Sequence, residues 1–426
     1  MALALAGSAL AGCASPRLSG NPQQQIHRSG PASLTAGVGK VEITPPKGTP
    51  LAGYSRRKSK PAQGVRDPLY VRAITLSDGE DTVLLVSADL LIFPPPLVEK
   101  LVRRISSEWN LPRQALILTA THTHSGPGAV ARGLLYPIVF GRYNRQRERA
   151  LIAQTLEAVE QAMKNRRPVR WGFKSSEEFL GELIENRMVP GTPVDSGLRV
   201  LMLEGMNGRP LAMVVSASAH PTLLSSKEMR FSGDYPGALT RKVETLYPGS
   251  TCLFVNGTAG DSRPIKRALG RSNDEAVDRF GETLAEGTTG LINQMHLQPK
   301  ADLAVWGGWF RLPPPRIRLG WLRLHPFLGR RILPSASYLN LAALDRTLLV
   351  PLEAEMTADL GSRLRTQLSA LGFQPLLLGY ANGYLGYAVT SDQYRQMGYE
   401  VGMSWYGPFG GEKLVEEICR LASLLI

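Results

Sequence analysis

The chain has 426 residues, 43% of them hydrophobic and 20% charged, which is enough apolar content for a packed interior and excludes a disordered chain. Its three cysteines, Cys13, Cys252 and Cys419, are too few for a disulfide framework and lack the paired spacing of a cysteine zinc site, so any metal must draw on histidine, carboxylate or tyrosine. The net charge of +13 suits a polyanion or an anionic membrane surface, but no helix-turn-helix, zinc-finger or RNA-binding signature accompanies it, so nucleic acid ranks low and a membrane surface fits better.

In chain order, "MALALAGSALAGCASPRLSG" is a short apolar stretch ending in Leu10-Ala11-Gly12-Cys13, which looks like the lipobox of a bacterial lipoprotein signal peptide. Cleavage before Cys13 and acylation of its thiol would anchor the chain to a membrane; Ala14 then permits transport to the outer membrane of a Gram-negative envelope, facing the periplasm. The basic n-region of such signals is missing, and an unstructured apolar N-terminus is the alternative. Residues 14 to about 33 are rich in Ser, Pro, Gly and Gln and read as a flexible tether, leaving 34–426 as one folded domain. No later stretch approaches the roughly 18 uninterrupted apolar residues of a membrane-spanning helix.

"AGVGKVEITP" and "YVRAITLSDGEDTVLLVSADLLIF" carry alternating or continuous apolar runs broken by Asp-Gly, which predicts strands joined by a turn. "PLVEKLVRRISSEW" repeats Leu and Val at helical spacing and precedes the strand "ALILTA". A long helix at "RERALIAQTLEAVEQAMKNR", strands at "LRVLMLEG", "PLAMVVSASA" and "TCLFVNG", and a helix at "DEAVDRFGETLAEGTTGLINQM" follow. Two more helices are expected near 354–371 and 411–425. This succession predicts an α/β fold of layered mixed sheets with flanking helices.

"TATHTHSGPGA", residues 119–129, places His122 and His124 two apart where a buried strand gives way to a loop. In an extended segment both would project to one side, at the end of a sheet where α/β proteins usually place their chemistry; the alternative is a polar strand end. A third histidine, His220, follows the strand "LAMVVSASA" and precedes Pro221, which stops the strand. The remaining three, His27, His296 and His325, fall in the tether, at a helix end and in a basic loop, where solvation explains them. Three imidazoles at strand ends suit a catalytic zinc site, which uses about three protein ligands and water.

The ordered motifs "AGVGKVEITPP", "LAGY", "RDPLYVRA", "SADL" and above all "THTHSGPG" resemble the neutral and alkaline non-lysosomal ceramidases, zinc-dependent amidohydrolases that cleave the N-acyl bond of ceramide. The resemblance implies that His122 is a zinc ligand and His124 a catalytic histidine outside the ligand set. "ENR" implies that Arg187 helps line the active site, and "AHPT" gives His220 as the second zinc histidine. "FSGDYPG" makes Asp234 structural. "PLEAEMT" makes Glu353 the carboxylate ligand, and "NGYLGYAVTSDQYRQMGYE" gives Tyr387 as the fourth ligand and Tyr399 as a catalytic phenol. Packing, a helix-end carboxylate and a surface ion pair are the ordinary alternatives for the tyrosines, Glu353 and Arg187.

Two departures bear on the substrate. Where the ceramidases have Gly-Asp-x-Ser-Pro, this chain reads Gly260-Asp261-Ser262-Arg263-Pro264, so Arg263 takes the serine position. The family's C-terminal β-sandwich-like domain is not expected, because the chain ends soon after the tyrosine segment. A Zn²⁺ held by two imidazoles, a carboxylate and a phenol lowers the pKa of bound water from about 16 toward 7. Arg187 and Tyr399 suit the developing oxyanion, and His124 suits proton transfer.

The expected function is hydrolysis of the amide bond of ceramide or a related amphiphilic N-acyl lipid. The alternative is a catalytically degenerate member that binds an envelope lipid or glycan without turnover. "WGGWFRLPPPRIRLGWLRLHPFLGRR", residues 306–331, interleaves aromatics with arginines. It reads either as a peripheral membrane contact or as a strand with solvated arginines followed by a proline-rich loop.

Overall fold

The computed structural model describes residues 30–133, 136–319, 322–323, 326–396 and 398–426. Cys13, the tether as far as residue 29, and His27 and His325 lie outside the described residues.

Eight strands form the larger sheet: β1 (Thr35–Glu42), β2 (Tyr70–Ser77), β3 (Thr82–Ala88), β4 (Leu116–Ala120), β5 (Arg167–Ser176), β6 (Leu198–Gly205), β7 (Pro210–Ala217) and β8 (Thr251–Asn256). Their spatial order is β8-β7-β6-β5-β1-β2-β3-β4, and only the outermost pairs, β7 with β8 and β3 with β4, are parallel. Between β3 and β4 runs helix α1 (Pro95–Trp109), which buries Leu97, Val98, Leu101, Val102 and Ile105 at the three-and-four spacing of one helical face. Helix α2 (Arg145–Lys164) begins where the Asn144 side chain accepts from the amides of Gln146 and Arg147. It lies so close to β1 that a Cβ on Gly39 would meet the Ala158 carbonyl oxygen at 1.9 Å, so "AGVGKV" needs glycine there. Helices α3 (Asp234–Leu246) and α4 (Asn273–Asn293) pack on β6, β7 and β8 through Leu239, Val243, Phe280 and Leu284.

The second sheet has order β9-β10-β11-β13, from β9 (Leu303–Arg311), β10 (Ala336–Leu344), β11 (Thr347–Pro351) and β13 (Gln374–Leu378). It stacks on the larger sheet through Leu303, Ala342, Leu349 and Leu376, which join Ile74, Leu85, Val214 and Leu253 in one core. Its outer face is covered by α5 (Ala358–Ala370) and α6 (Gly410–Ala422), through Leu360, Leu364, Leu414 and Ile418. The layers therefore run helices, sheet, sheet, helices: an α/β architecture of mixed sheets with flanking helices. Each fully buried Leu or Phe contributes about 1.5–3 kcal/mol, so the shared core dominates the cohesion of the two sheets.

Most of the residue ranges predicted from pattern, from β1 to α2, match the observed elements closely. The second sheet's β10, β11 and β13 were not anticipated, nor were β5 and α3, and the helix expected at 354–371 starts only at Ala358, after a two-residue strand β12 (Glu355–Met356). That strand pairs in parallel with β14 (Tyr387–Ala388), with Glu355 opposite Tyr387. For 306–331 the strand alternative describes the first part: β9 pairs along its full length with β10, and Trp306 is buried with its indole N–H on the Leu421 carbonyl, 2.8 Å away. Among the described residues no helix is long and apolar enough to cross a membrane.

Candidate metal centre

The eight-stranded sheet curls until its two ends meet. The Ser87 hydroxyl in β3 donates to the Phe254 carbonyl in β8 at 2.6 Å, and Asn256 Nδ2 donates to the Thr121 carbonyl at 2.7 Å. This closure brings together the loops after β4 and β7, where His122 and His220 sit. The chain at His122 is not extended: its φ is 64°, a left-handed conformation uncommon for a non-glycine residue. The expected alternation therefore does not apply, yet the His122 and His124 rings converge with centroids 5.1 Å apart. What aims them is tertiary. Thr123 Oγ1 donates to the Ser232 carbonyl at 2.7 Å, Arg57 donates to the His124 carbonyl, and Gly53, at φ 107°, lets the "LAGY" backbone come so near that a Cβ would lie 2.8 Å from His124 Nδ1.

His122 Nδ1 donates to the Leu91 carbonyl at 2.7 Å and His220 Nδ1 to the Ala259 carbonyl at 3.1 Å. A carbonyl only accepts, so each Nδ1 carries the proton and each Nε2 presents a lone pair. The two Nε2 atoms lie 3.2 Å apart, and Glu355 Oε2 stands 3.5 Å from one and 3.7 Å from the other. Three buried acceptors face one another here, and Glu355 Oε2 has no hydrogen-bond donor among the described residues. Such a cluster is repulsive unless a cation occupies it, and an imidazole pair with a carboxylate is a donor set that suits zinc.

The carboxylate at the imidazoles is Glu355, where the sequence predicted Glu353. Glu353 still belongs to the end of the second sheet: its carbonyl accepts from the Leu385 amide at 2.7 Å, and its carboxyl receives the Ser337 hydroxyl from β10. Burial pushes that carboxyl from the ordinary 4.5 up to about 8, with Ser337 and Arg113 opposing only in part. Two residues later the chain switches partner to β14, and Glu355 turns toward the histidines. There Tyr384 holds its Oε1, and Oε2 is left facing the two imidazoles.

Tyr387 is buried beside Glu355 and its hydroxyl accepts from Arg187 Nη2 at 2.8 Å. Burial, then the nearby Glu355, raises the phenol well above its ordinary pKa. Arg187 also donates to the Gly260 carbonyl at 2.9 Å and lies 3.2 Å from Glu400 Oε1, so it clamps Tyr387 more than it reaches toward open space. Tyr399 is 65% exposed, its ring 5.8 Å from that of Tyr387, at the mouth of the site. His124 completes the cluster: the ligand atoms of His122, His124 and His220 all lie within 4.8 Å of one another. Both His124 ring nitrogens are buried without a hydrogen-bond partner among the described residues, and burial, His122, Arg187 and Arg57 lower its pKa well below normal. Asp234 organises the backbone, accepting from the Leu224 amide at 3.0 Å and the Tyr235 amide at 2.7 Å.

The profile described as neutral/alkaline non-lysosomal ceramidase, N-terminal, matches residues 34–259, more than half of the chain. The chain belongs to this family. Among curated relatives, neutral ceramidase B of Dictyostelium discoideum is 25% identical over 62% of this chain, and the neutral ceramidase of Mycobacterium tuberculosis is 20% identical over 92% of this chain and 77% of its own length. The chain spans only 38% and 39% of the length of the two Dictyostelium relatives. A crystal structure of the Pseudomonas aeruginosa neutral ceramidase superposes with a TM-score of 0.81 at 20% identity, covering 92% of this chain and 74% of that one, which shows a common ceramidase fold.

Several residues around the candidate metal centre escaped sequence reasoning. Tyr380 stacks on His122 with centroids 3.7 Å apart, Tyr54 lies 4.8 Å from His124, and Tyr384 donates to Glu355 Oε1 at 2.5 Å. The tyrosine-rich segment and "LAGY" were visible, but nothing in them marks which phenol faces a histidine. Asp261, by contrast, is structural, accepting from Asn186 Nδ2 at 3.0 Å and from the Ala358 amide at 2.8 Å.

Proposed function

We propose that the chain is a zinc-dependent amidohydrolase acting on ceramide or a related N-acyl lipid. The observation that carries this is the pair of carbonyl-locked imidazoles turning both Nε2 lone pairs onto Glu355. His122, His220, Glu355 and Tyr387 would hold the ion, with Glu355 replacing Glu353 in the predicted set. When bound, zinc supplies Lewis-acid activation of water and of the amide carbonyl.

The chain's own residues do the rest. His124, neutral and with both nitrogens unengaged, takes a proton from the attacking water and returns it to the leaving amine nitrogen. Arg187 fixes the Tyr387 hydroxyl, and with it the orientation of Glu355, while Tyr399 at the mouth offers a hydroxyl to the substrate's carbonyl oxygen. Tyr380 and Tyr54 wall the imidazoles and limit access of bulk water.

Metal analysis of the purified full chain beside a panel of N-acyl amides and esters tests the reading. About one zinc per chain with release of fatty acid is expected; metal-free active protein, or zinc-loaded protein that hydrolyses none of the panel, overturns it. Binding without turnover is the second reading, favoured by Arg263 in the position of the family's motif serine. We also propose that the chain is lipid-anchored through Cys13 in the outer membrane; intact-mass analysis of membrane-expressed protein should show a diacylglycerol adduct.

A further inference from the structure

A groove of about 690 Å³ is lined by Tyr54, whose ring lies 4.8 Å from that of His124, and by Arg187. The same lining carries Arg263, Lys266 and Arg267 with a single carboxylate, Glu185. These charges do not cancel. Arg263 and Glu185 pair at 2.9 Å across the two short strands Ser262–Pro264 and Ile184–Asn186, and Arg187 is engaged by Tyr387 and Glu400. Lys266 and Arg267 are left over. Lys266 Nζ donates to Asn273 Oδ1 at 2.6 Å, a neutral acceptor that uses one of its three protons. Among the described residues no carboxylate lies within ion-pair distance of either cation. Partial burial lowers the Lys266 pKa, with the charge of Asp234 opposing.

A neutral sphingoid head would leave both cations without an anionic partner and strip part of their hydration. A carboxylate, sulfonate or phosphate would satisfy them with charge-assisted hydrogen bonds.

We propose that this groove receives the amine side of the substrate and that this side bears an anionic group, so that the amide cleaved is an acidic N-acyl amphiphile. The proposal rests on the hydrolase reading above. In the reaction the acyl carbon–nitrogen bond breaks, the acyl carbon takes the water oxygen, the nitrogen takes a proton, and the anionic group leaves unchanged on the amine.

The test uses the zinc-loaded full chain and four lauroyl amides that share one acyl chain: N-lauroylglycine, N-lauroyltaurine, N-lauroyl phosphoethanolamine and the neutral N-lauroylethanolamine. At least one acidic amide should exceed the neutral one in kcat/KM by roughly ten-fold or more, and which one wins identifies the anion. In the Lys266→Gln/Arg267→Gln double variant that ratio should fall toward one, mainly through KM, with thermal melting as the folding control. A wild-type preference for the neutral amide, or a ratio that survives the double substitution, overturns the groove's role. If no amide is hydrolysed the hydrolase reading fails separately, and calorimetry decides the groove: N-lauroylglycine must bind more tightly than N-lauroylethanolamine in wild type only. Equal binding of the two overturns the proposal.

Discussion

His122 and His220 follow β4 and β7, continuous apolar strands of the larger sheet, whereas Glu355 and Tyr387 sit on two-residue strands that pair only with each other. The first pair is held by backbone carbonyls from neighbouring loops, Leu91 and Ala259. The second pair is held by side chains, Tyr384 and Arg187, with Arg187 itself anchored on Glu400. One half of the centre is therefore rigid through the main chain, and the other depends on a relay of buried charges and phenols that a single substitution can break.

The largest expected effect separates the two glutamates. Glu355→Gln should lose the metal and lower turnover by roughly 10³-fold or more, whereas Glu353→Gln should keep zinc stoichiometry and most activity. Zinc content measured beside kcat/KM decides it, and metal loss in the Glu353 variant instead would return the ligand to the position predicted from sequence. Within the histidine half, His220→Ala should lose metal and activity together. His124→Ala should keep the metal while kcat falls on the order of 10²- to 10⁴-fold; loss of zinc there would make His124 a ligand.

The relay supporting Tyr387 sets the next effect. Arg187→Met removes the donor to Tyr387 and leaves Glu400 buried without its cation, so zinc affinity should weaken roughly 10- to 100-fold in competition with a chelator. The effect on activity is smallest for the Glu353 carboxyl, which titrates in the fold near 8 against an ordinary 4.5. Because the folded chain holds this proton where the unfolded chain has released it, stability should fall as pH rises from about 4.5 through about 8 and then level off. Glu353→Gln should flatten that slope and raise the melting temperature near pH 8, a difference on the order of a few kcal/mol at most. Parallel melting curves for the two proteins across that range would show that Glu353 is not the group responsible.

The chain's local signals carried the first half of the fold. Apolar continuity marked β3, β4, β7 and β8, helical spacing marked α1, α2 and α4, and the strand-to-loop positions of His122 and His220 were visible because Gly and Pro punctuate both sites. They failed where contacts are long-range. β10 and β11 have the composition of any buried strand, and the two-residue strands β12 and β14 are too short to leave a period at all. Glu353 and Glu355 stand two apart in one short segment, and no local property distinguishes a carboxyl that meets Ser337 from one that meets two imidazoles.

The sequence by itself determined the family, the layered α/β class, the three histidines and the tyrosine pair, because each is written in residues adjacent along the chain. Only the tertiary structure decided that Glu355 is the carboxylate facing the two imidazoles, that Arg187 donates to Tyr387, and that β8 meets β3 so that loops from opposite ends of one sheet come together. The physical reason is that a periodic pattern reports which face of an element is buried, while the identity of what lies across that face is set by the curl of the sheet and the packing of a second one upon it.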